Sequence, residues 1–146
     1  GTVHAIGAGC VICEVQQSSN VTYRVYDYNR KDANGNLRPL HVEKALQVIN
    51  FKAFQDETAS GNFTPVSGGE MRLLTQCRYF RCRELLLDGT FTQEGGKSFA
   101  AVNALTGKGT VNAKAFAAGD TFFFPRGEKI TLCGKGKFIL TDTPDV

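Results

Sequence analysis

Short apolar runs rich in β-branched and aromatic residues alternate with turn residues through most of the chain. In residues 1–30 they predict three strands, at 1–6, 10–16 and 20–28. An Asn-Gly pair within 32–36 predicts a tight turn. Apolar residues at 42, 45, 46 and 49 then follow the spacing of one amphipathic helix.

From residue 70 onward the pattern becomes a series of short strands separated by glycines. The predicted strands are 72–77, 79–87, 98–105, 109–112, 121–125, 129–133 and 137–141. Evenly spaced short strands with glycine turns are typical of a sandwich or small barrel, and their number suffices for a complete jelly roll. The predicted domains are therefore 1–55, a polar linker at 56–69, and a jelly roll at 70–146. The strands and helix of the first part leave open sheet edges.

Composition excludes several function classes. A hydrophobic share of 42% and a charged share of 21% are typical of a globular protein. A net charge of +3 without a long basic stripe argues against nucleic-acid binding. No apolar run reaches the length of about 18 residues that a membrane span needs.

Five cysteines, without a secretory signal, predict reduced thiols and a cytoplasmic location. Cys10 and Cys13, on opposite faces of a predicted strand, are expected to be small buried residues rather than a metal or redox pair.

A glycine-containing motif occurs twice, and only the first copy carries a histidine. The first copy is the Gly-x-x-His that ends at His4. The second copy spans 119–130 and places Ile130 where His4 stands. Zinc generally needs three or four protein ligands, and no histidine follows His41. We therefore expect the C-terminal domain to have no histidine-based metal site and to support a single working site in the first part.

Two sets of residues carry a resemblance to known families. The pattern Gly-Asp-x-Phe-x-x-Pro-x-Gly at 119–127 resembles the second conserved stretch of cupin domains. The segments 1–7, 14–20, 22–32 and 37–45 resemble the short bacterial form of type I mannose-6-phosphate isomerase, and a looser likeness continues to the C-terminus. The resemblance implies an all-β cupin jelly roll with one short helix: a complete C-terminal domain, preceded by the second half of a catalytic cupin.

The resemblance also implies a function. The family members are zinc enzymes that interconvert mannose 6-phosphate and fructose 6-phosphate. His4 matches a zinc ligand, Arg24 matches the arginine assigned to catalysis, and Glu14 lies where the family lines its substrate pocket. One zinc ion is implied, with its remaining ligands upstream of Gly1, so this chain is expected to be an incomplete and inactive portion. The partners implied are a sugar phosphate and either the missing N-terminal segment or a second copy that covers the open edges.

The chemistry of aldose–ketose isomerisation suits these residues, although simpler roles exist for each. Zinc acts as a Lewis acid on substrate oxygens, and a guanidinium supplies a fixed positive charge to an enediolate. Without the resemblance, Arg24 would be a strand arginine paired with Asp27, Glu14 a carboxylate on the sheet surface, and His41 a capping or surface residue at a helix start. A non-catalytic sugar-binding or regulatory cupin is the alternative function.

Overall fold

The computed structural model describes residues 2–19, 21–52 and 61–144. The chain forms two compact units, Gly1–Gln55 and Asp56–Val146. In the first unit, helix α1 (Val42–Val48) confirms the predicted helix, and the side chain of Ala45 in this helix is buried. An antiparallel bridge between Lys31 and Leu37 closes the predicted Asn-Gly turn. Helix α1 has seven residues and is too short to cross a membrane. None of the described residues form a helix that is long and apolar enough to do so.

The strands predicted at 1–6, 10–16 and 20–28 are wrong for the described residues of the first unit. Those residues form no ladder there, and several of their large apolar side chains are exposed, including Val11, Val21 and Tyr26. Strand propensity measures how well a side chain fits a pleated, half-buried surface. The described part of this unit supplies no neighbouring strand, so the propensity of these residues is not realised.

In the described residues of the second unit, seven strands form one antiparallel sheet. The strands are β1 (Thr64–Val66), β2 (Gly69–Gln76), β3 (Arg81–Gln93), β4 (Ala100–Val111), β5 (Lys114–Phe116), β6 (Thr121–Phe124) and β7 (Ile130–Asp142). Their order is β1-β2-β3-β7-β4-β5, with β6 paired to the first residues of β4. The sheet curves around a hydrophobic core, which lies on its concave face. The fully buried side chains of this core include Leu85, Leu132 and Phe138.

Glycines that were predicted to separate strands instead bend long ones. The predicted pairs 98–105 with 109–112 and 129–133 with 137–141 are each a single strand, β4 and β7. Across the sheet, Gly134 is paired with Gly89 on one side and with Gly109 on the other, and Gly107 is paired with Gly136. Gly107 and Gly134 have φ values of 109° and 126°. A side chain at either position would collide with the backbone of the adjacent strand.

Two strands were missed by the sequence analysis. β1 lies inside the predicted linker at 56–69, of which residues 56–60 lie outside the described residues. β5 follows β4 after a turn at Asn112 and Ala113, both of which have positive φ. Each strand has only three residues, too few for a period-two pattern to be recognised.

The bend in β3 brings its two ends together. Arg81, Arg83, Leu85, Leu87, Phe91 and Gln93 share one face, because side chains alternate along a strand. Leu85, Leu87 and Phe91 belong to the core. Arg83 Nη2 nevertheless donates a hydrogen bond of 2.8 Å to Gln93 Oε1. Ten residues of straight strand would span about 33 Å, so this contact exists only because the strand turns back at Gly89.

Glu84 lies on the opposite face of β3 and is 3% exposed. Its carboxylate accepts from Arg72 at 2.5 Å and from Lys137 at 2.6 Å. Burial by itself would raise the pKa of Glu84, but the hydrogen bonds and charges of Lys137 and Arg72 outweigh burial and lower that pKa from its ordinary value of 4.5. Glu84 thus ties together β2, β3 and β7.

We predict that Gly107→Ala lowers the free energy of unfolding of the protein by at least about 2 kcal/mol, because an L side chain at this φ is strained and meets the backbone of β7. Gly96→Ala is the matched control, since open space surrounds that position and its φ is not positive. Urea denaturation followed by circular dichroism measures both. Equal stabilities for the two variants would contradict the role given to Gly107.

We predict that Glu84→Gln removes part of the acid sensitivity of the fold. The pKa of Glu84 is lowered in the folded state, so its ionised form stabilises the fold above pH 4.5, and this stabilisation is lost as pH falls through the lowered pKa. Thermal melts between pH 7 and pH 2 should show a shallower acid slope for Glu84→Gln than for the exposed control Glu70→Gln. Identical slopes would exclude a contribution from Glu84.

Candidate functional site

Arg24 is held firmly within the first unit, and its side chain is 16% exposed. Its Nη1 donates to the carbonyl oxygen of Pro39 at 3.1 Å. Its backbone N–H donates to Nδ1 of His41 at 3.2 Å, while the backbone N–H of His41 donates to the Arg24 carbonyl at 2.7 Å. Two reciprocal hydrogen bonds therefore fix the backbone of Arg24 to the start of α1.

Asp27 is the carboxylate around which this site is arranged, and it is 6% exposed. Arg30 donates to its Oδ1 from Nη2 at 2.6 Å and from Nε at 3.1 Å. On the other side, Nε of Arg38 lies 3.2 Å and Nε of Arg24 lies 3.7 Å from Oδ2. From the described residues, that buried oxygen accepts no hydrogen bond of good geometry, so these two arginines act on it through charge.

The three arginines determine the electrostatics of the cluster. Burial would raise the pKa of Asp27, but the hydrogen bond from Arg30 and the charges of Arg30, Arg38 and Arg24 outweigh it and lower the pKa below its ordinary value of 3.8. Asp27 is therefore ionised near neutral pH. Three guanidinium groups around one carboxylate leave two positive charges uncompensated within the cluster.

The sequence analysis found Arg24 but missed part of its surroundings. The pairing of Arg24 with Asp27, given as the simpler role, is present. His41 occupies the N-cap of α1, yet its side chain makes no capping hydrogen bond and binds the Arg24 backbone instead. The spacing Arg24-x-x-Asp27-x-x-Arg30 is a usable signal in the sequence. Arg38 comes from beyond the turn, and only the fold places it at Asp27.

His4 and Glu14 are not joined to this cluster in the structure. Both are exposed, and Nδ1 of the His4 ring lies 3.4 Å from the Thr2 carbonyl oxygen. Among the described residues, no hydrogen bond or ion pair links either residue to Arg24. Cys10 and Cys13 are exposed free thiols, so the expectation that they are buried is wrong.

The described residues do not by themselves supply a complete set of zinc ligands. Within 2–19, 21–52 and 61–144, no group of three or more His, Cys, Asp or Glu side chains could hold a metal. A catalytic zinc usually has three protein ligands, and His4 would be one of them. In the second unit, Ile130 at the position equivalent to His4 is 1% exposed and belongs to the core.

Comparison with curated proteins finds relatives along nearly the whole chain, whereas no family model matches it. The chain is 35% identical to the mannose-6-phosphate isomerase ManA of Bacillus subtilis over 141 residues, which cover 96% of the chain and 43% of the relative. It is 34% identical to the mannose-6-phosphate isomerase of Streptococcus mutans, covering 86% of the chain and 40% of the relative. The chain thus spans less than half the length of the curated relatives that it matches.

Solved structures give the same result. The crystal structure of the mannose 6-phosphate isomerase from Bacillus subtilis superposes with a TM-score of 0.71 at 26% identity, covering 85% of this chain and 41% of that one. Pac13, a nucleoside dehydratase, superposes with a TM-score of 0.52 at 17% identity and supports the fold alone. The predicted all-β cupin jelly roll with one short helix is confirmed. In sequence and in structure, the chain resembles the C-terminal portion of mannose-6-phosphate isomerases.

Proposed function

We propose that this protein acts as an aldose–ketose isomerase on mannose 6-phosphate and fructose 6-phosphate, and that the first unit contributes Arg24, Glu14 and His4 to the site. The names of the relatives support this class of reaction. The observation that carries the proposal is the rigid placement of Arg24 beside the buried Asp27. An isomerase needs a fixed positive charge at a defined position.

The chemistry gives Arg24 a specific task. Isomerisation moves a proton between adjacent carbons through an enediol-like state, which carries negative charge on oxygen. A preorganised guanidinium stabilises such a charge without having to reorient during the reaction. Nη1 of Arg24 is used by Pro39, and Nη2 has no partner among the described residues. Nη2 is therefore the donor that we assign to a substrate oxygen.

The excess positive charge around Asp27 suits a phosphorylated substrate. Arg30 is 62% exposed and Arg38 is 35% exposed, so both can attract an anion from solvent while they neutralise Asp27. Fields of this kind raise the local concentration of oppositely charged ligands. Glu14 is assigned to the substrate pocket by the resemblance alone.

The proposal includes one zinc ion with His4 as one ligand. At least one further ligand must come from outside the described residues, since no three His, Cys, Asp or Glu side chains among them are placed to hold a metal. We accordingly propose that these 146 residues are inactive by themselves. All five cysteines are free thiols, which supports our further proposal of a cytoplasmic, reducing location.

The alternative is a non-catalytic cupin that binds sugars. The lack of a metal-binding group among the described residues favours it. Turnover separates the two functions, because a binding protein would hold the sugar phosphate without converting it. An absence of mannose 6-phosphate conversion by the zinc-loaded complete gene product would falsify the isomerase proposal.

We predict that Arg24→Lys lowers kcat of the complete gene product about 100-fold, because a lysine cannot keep both the bond to Pro39 and a donor on the substrate. Arg30→Lys is the matched control: it also contacts Asp27 but is largely exposed, and kcat should change by only a few-fold. Conversion of mannose 6-phosphate in a coupled assay gives kcat and KM separately. Equal losses for both variants would mean that Arg24 acts only through the stability of the cluster.

We predict that Asp27→Asn loosens the backbone at Arg24, since three guanidinium groups would then repel one another without a counter-charge. Hydrogen exchange of the Arg24 amide should accelerate about ten-fold or more, whereas Glu43→Gln, an exposed charge-matched control, should leave it unchanged. The pKa of Asp27 is lowered, so this protection persists above pH 3.8 and is lost as pH falls through the lowered pKa. Unchanged exchange in Asp27→Asn would show that His41 alone holds this segment.

A further inference from the structure

Arg24 is anchored to one short segment of the chain, residues 39–41, which immediately precedes α1. The guanidinium group of Arg24 donates to the Pro39 carbonyl oxygen at 3.1 Å. The backbone N–H of Arg24 donates to Nδ1 of His41 at 3.2 Å, and the backbone N–H of His41 donates to the Arg24 carbonyl oxygen at 2.7 Å. The same segment therefore holds Arg24 both at its backbone and at its charged group.

Asp27 holds Arg24 in a different way. Its Oδ2 lies 3.7 Å from Nε of Arg24 and accepts no hydrogen bond of good geometry from the described residues. Attraction between charges depends on their separation, whereas a hydrogen bond also requires a favourable angle. Asp27 therefore keeps the guanidinium group of Arg24 nearby, and the hydrogen bonds from residues 39–41 fix the direction in which it points.

His41 links Arg24 to the helix. Its ring and its backbone N–H both bind the Arg24 backbone, while its carbonyl oxygen accepts from the Ala45 N–H at 2.9 Å in α1. The residue is partly buried. A change in the position of the His41 ring would therefore move the Arg24 backbone relative to α1.

His41 is also an unusual residue for the N-cap of a helix. This position favours Ser, Thr, Asp and Asn, whose side-chain oxygens accept from backbone N–H groups in the first turn and stabilise the helix. The His41 side chain makes no such bond, because its ring accepts from the Arg24 N–H instead. Helix α1 lacks a side-chain cap at the position where Arg24 gains a partner.

The hydrogen bond to Arg24 determines the state of the His41 ring. A backbone N–H group can only donate, so Nδ1 of His41 is the acceptor and carries no proton. An imidazolium ring has protons on both nitrogens and could not accept this bond. The ring is therefore neutral, with its proton on Nε2.

We propose that His41 is a positioning residue for Arg24 in the isomerisation, an inference that rests on the proposed function. His41 acts through Arg24: its neutral ring fixes the Arg24 backbone, so that the guanidinium group is in place before negative charge develops on the substrate oxygen. A preorganised charge stabilises the enediol-like state without reorienting, and small errors in its placement lower the rate steeply.

Two substitutions at position 41 separate this role from capping of α1. His41→Asn places a carbonyl oxygen where Nδ1 lies, so the variant can still accept from the Arg24 N–H. His41→Ser can cap the helix, but its hydroxyl group is bonded to Cβ itself and falls short of Arg24. In the complete gene product, His41→Ser should lower kcat about 10-fold or more and change KM less than about three-fold, whereas His41→Asn should keep kcat within about three-fold.

Two measurements that do not require turnover accompany the kinetics. In His41→Ser, hydrogen exchange of the Arg24 amide should accelerate about ten-fold, whereas exchange of the Ile49 amide, which donates to the Ala45 carbonyl in α1, should stay unchanged. This comparison separates local release of Arg24 from loss of the helix. In the unsubstituted chain, the ¹⁵N resonances of the His41 ring should show the proton on Nε2.

Equal kcat values for His41→Ser and His41→Asn would overturn the positioning role, whether both variants remain active or both lose activity. A proton on Nδ1 of the His41 ring would overturn it without reference to activity. If the unsubstituted complete gene product does not convert mannose 6-phosphate, the isomerase proposal fails, and any role of His41 in that reaction fails with it. An active protein whose two variants are equal would contradict only the role of His41, so the two failures are distinguishable.

Discussion

The close approach of β4 and β7 at paired glycines is the constraint on which the second unit depends. Gly89 of β3, Gly134 of β7 and Gly109 of β4 are register partners. At Gly109 and Gly134 the backbones of β4 and β7 approach so closely that a side chain would displace the neighbouring strand, whereas a side chain at Gly89 would meet Gly68. Here the long strands bend, and the sheet can curve around its own core rather than extend as a flat surface. The core residues lie on the concave face that results.

The same bend brings together a polar network around Asp142. β3 has polar residues at both ends of its core-facing row, and a straight strand would hold these ends far apart. Because β3 turns at Gly89, Arg83 reaches Gln93, and the pairing of β3 with β7 brings Asp142 opposite Arg81. The bend that curves the sheet therefore also brings the guanidinium groups of Arg81 and Arg83 together at Asp142.

Buried carboxylates with more than one cationic partner recur in both units. Asp27 is surrounded by three arginines, Glu84 by Arg72 and Lys137, and Asp142 by two arginines. Removing such a carboxylate would leave cations facing one another, so each is expected to matter more than an exposed ion pair. The consequences differ with location. Around Asp27 the excess charge faces a proposed ligand, whereas Glu84 joins three strands.

The sequence by itself determined the antiparallel β-class of the second unit, the position of α1, the turn at the Asn-Gly pair and the likeness to mannose-6-phosphate isomerases, since these depend on local pattern or on motifs. It also singled out Arg24. Only the tertiary structure decided that Gly107 and Gly134 bend strands rather than end them, because a turn and a bend require the same residue. Likewise, no local pattern brings Arg38 to Asp27 or Arg83 to Gln93, as these contacts depend on how distant segments fold back. The strands predicted in the first unit failed for the same reason: a strand needs a neighbour, and its own residues do not supply one.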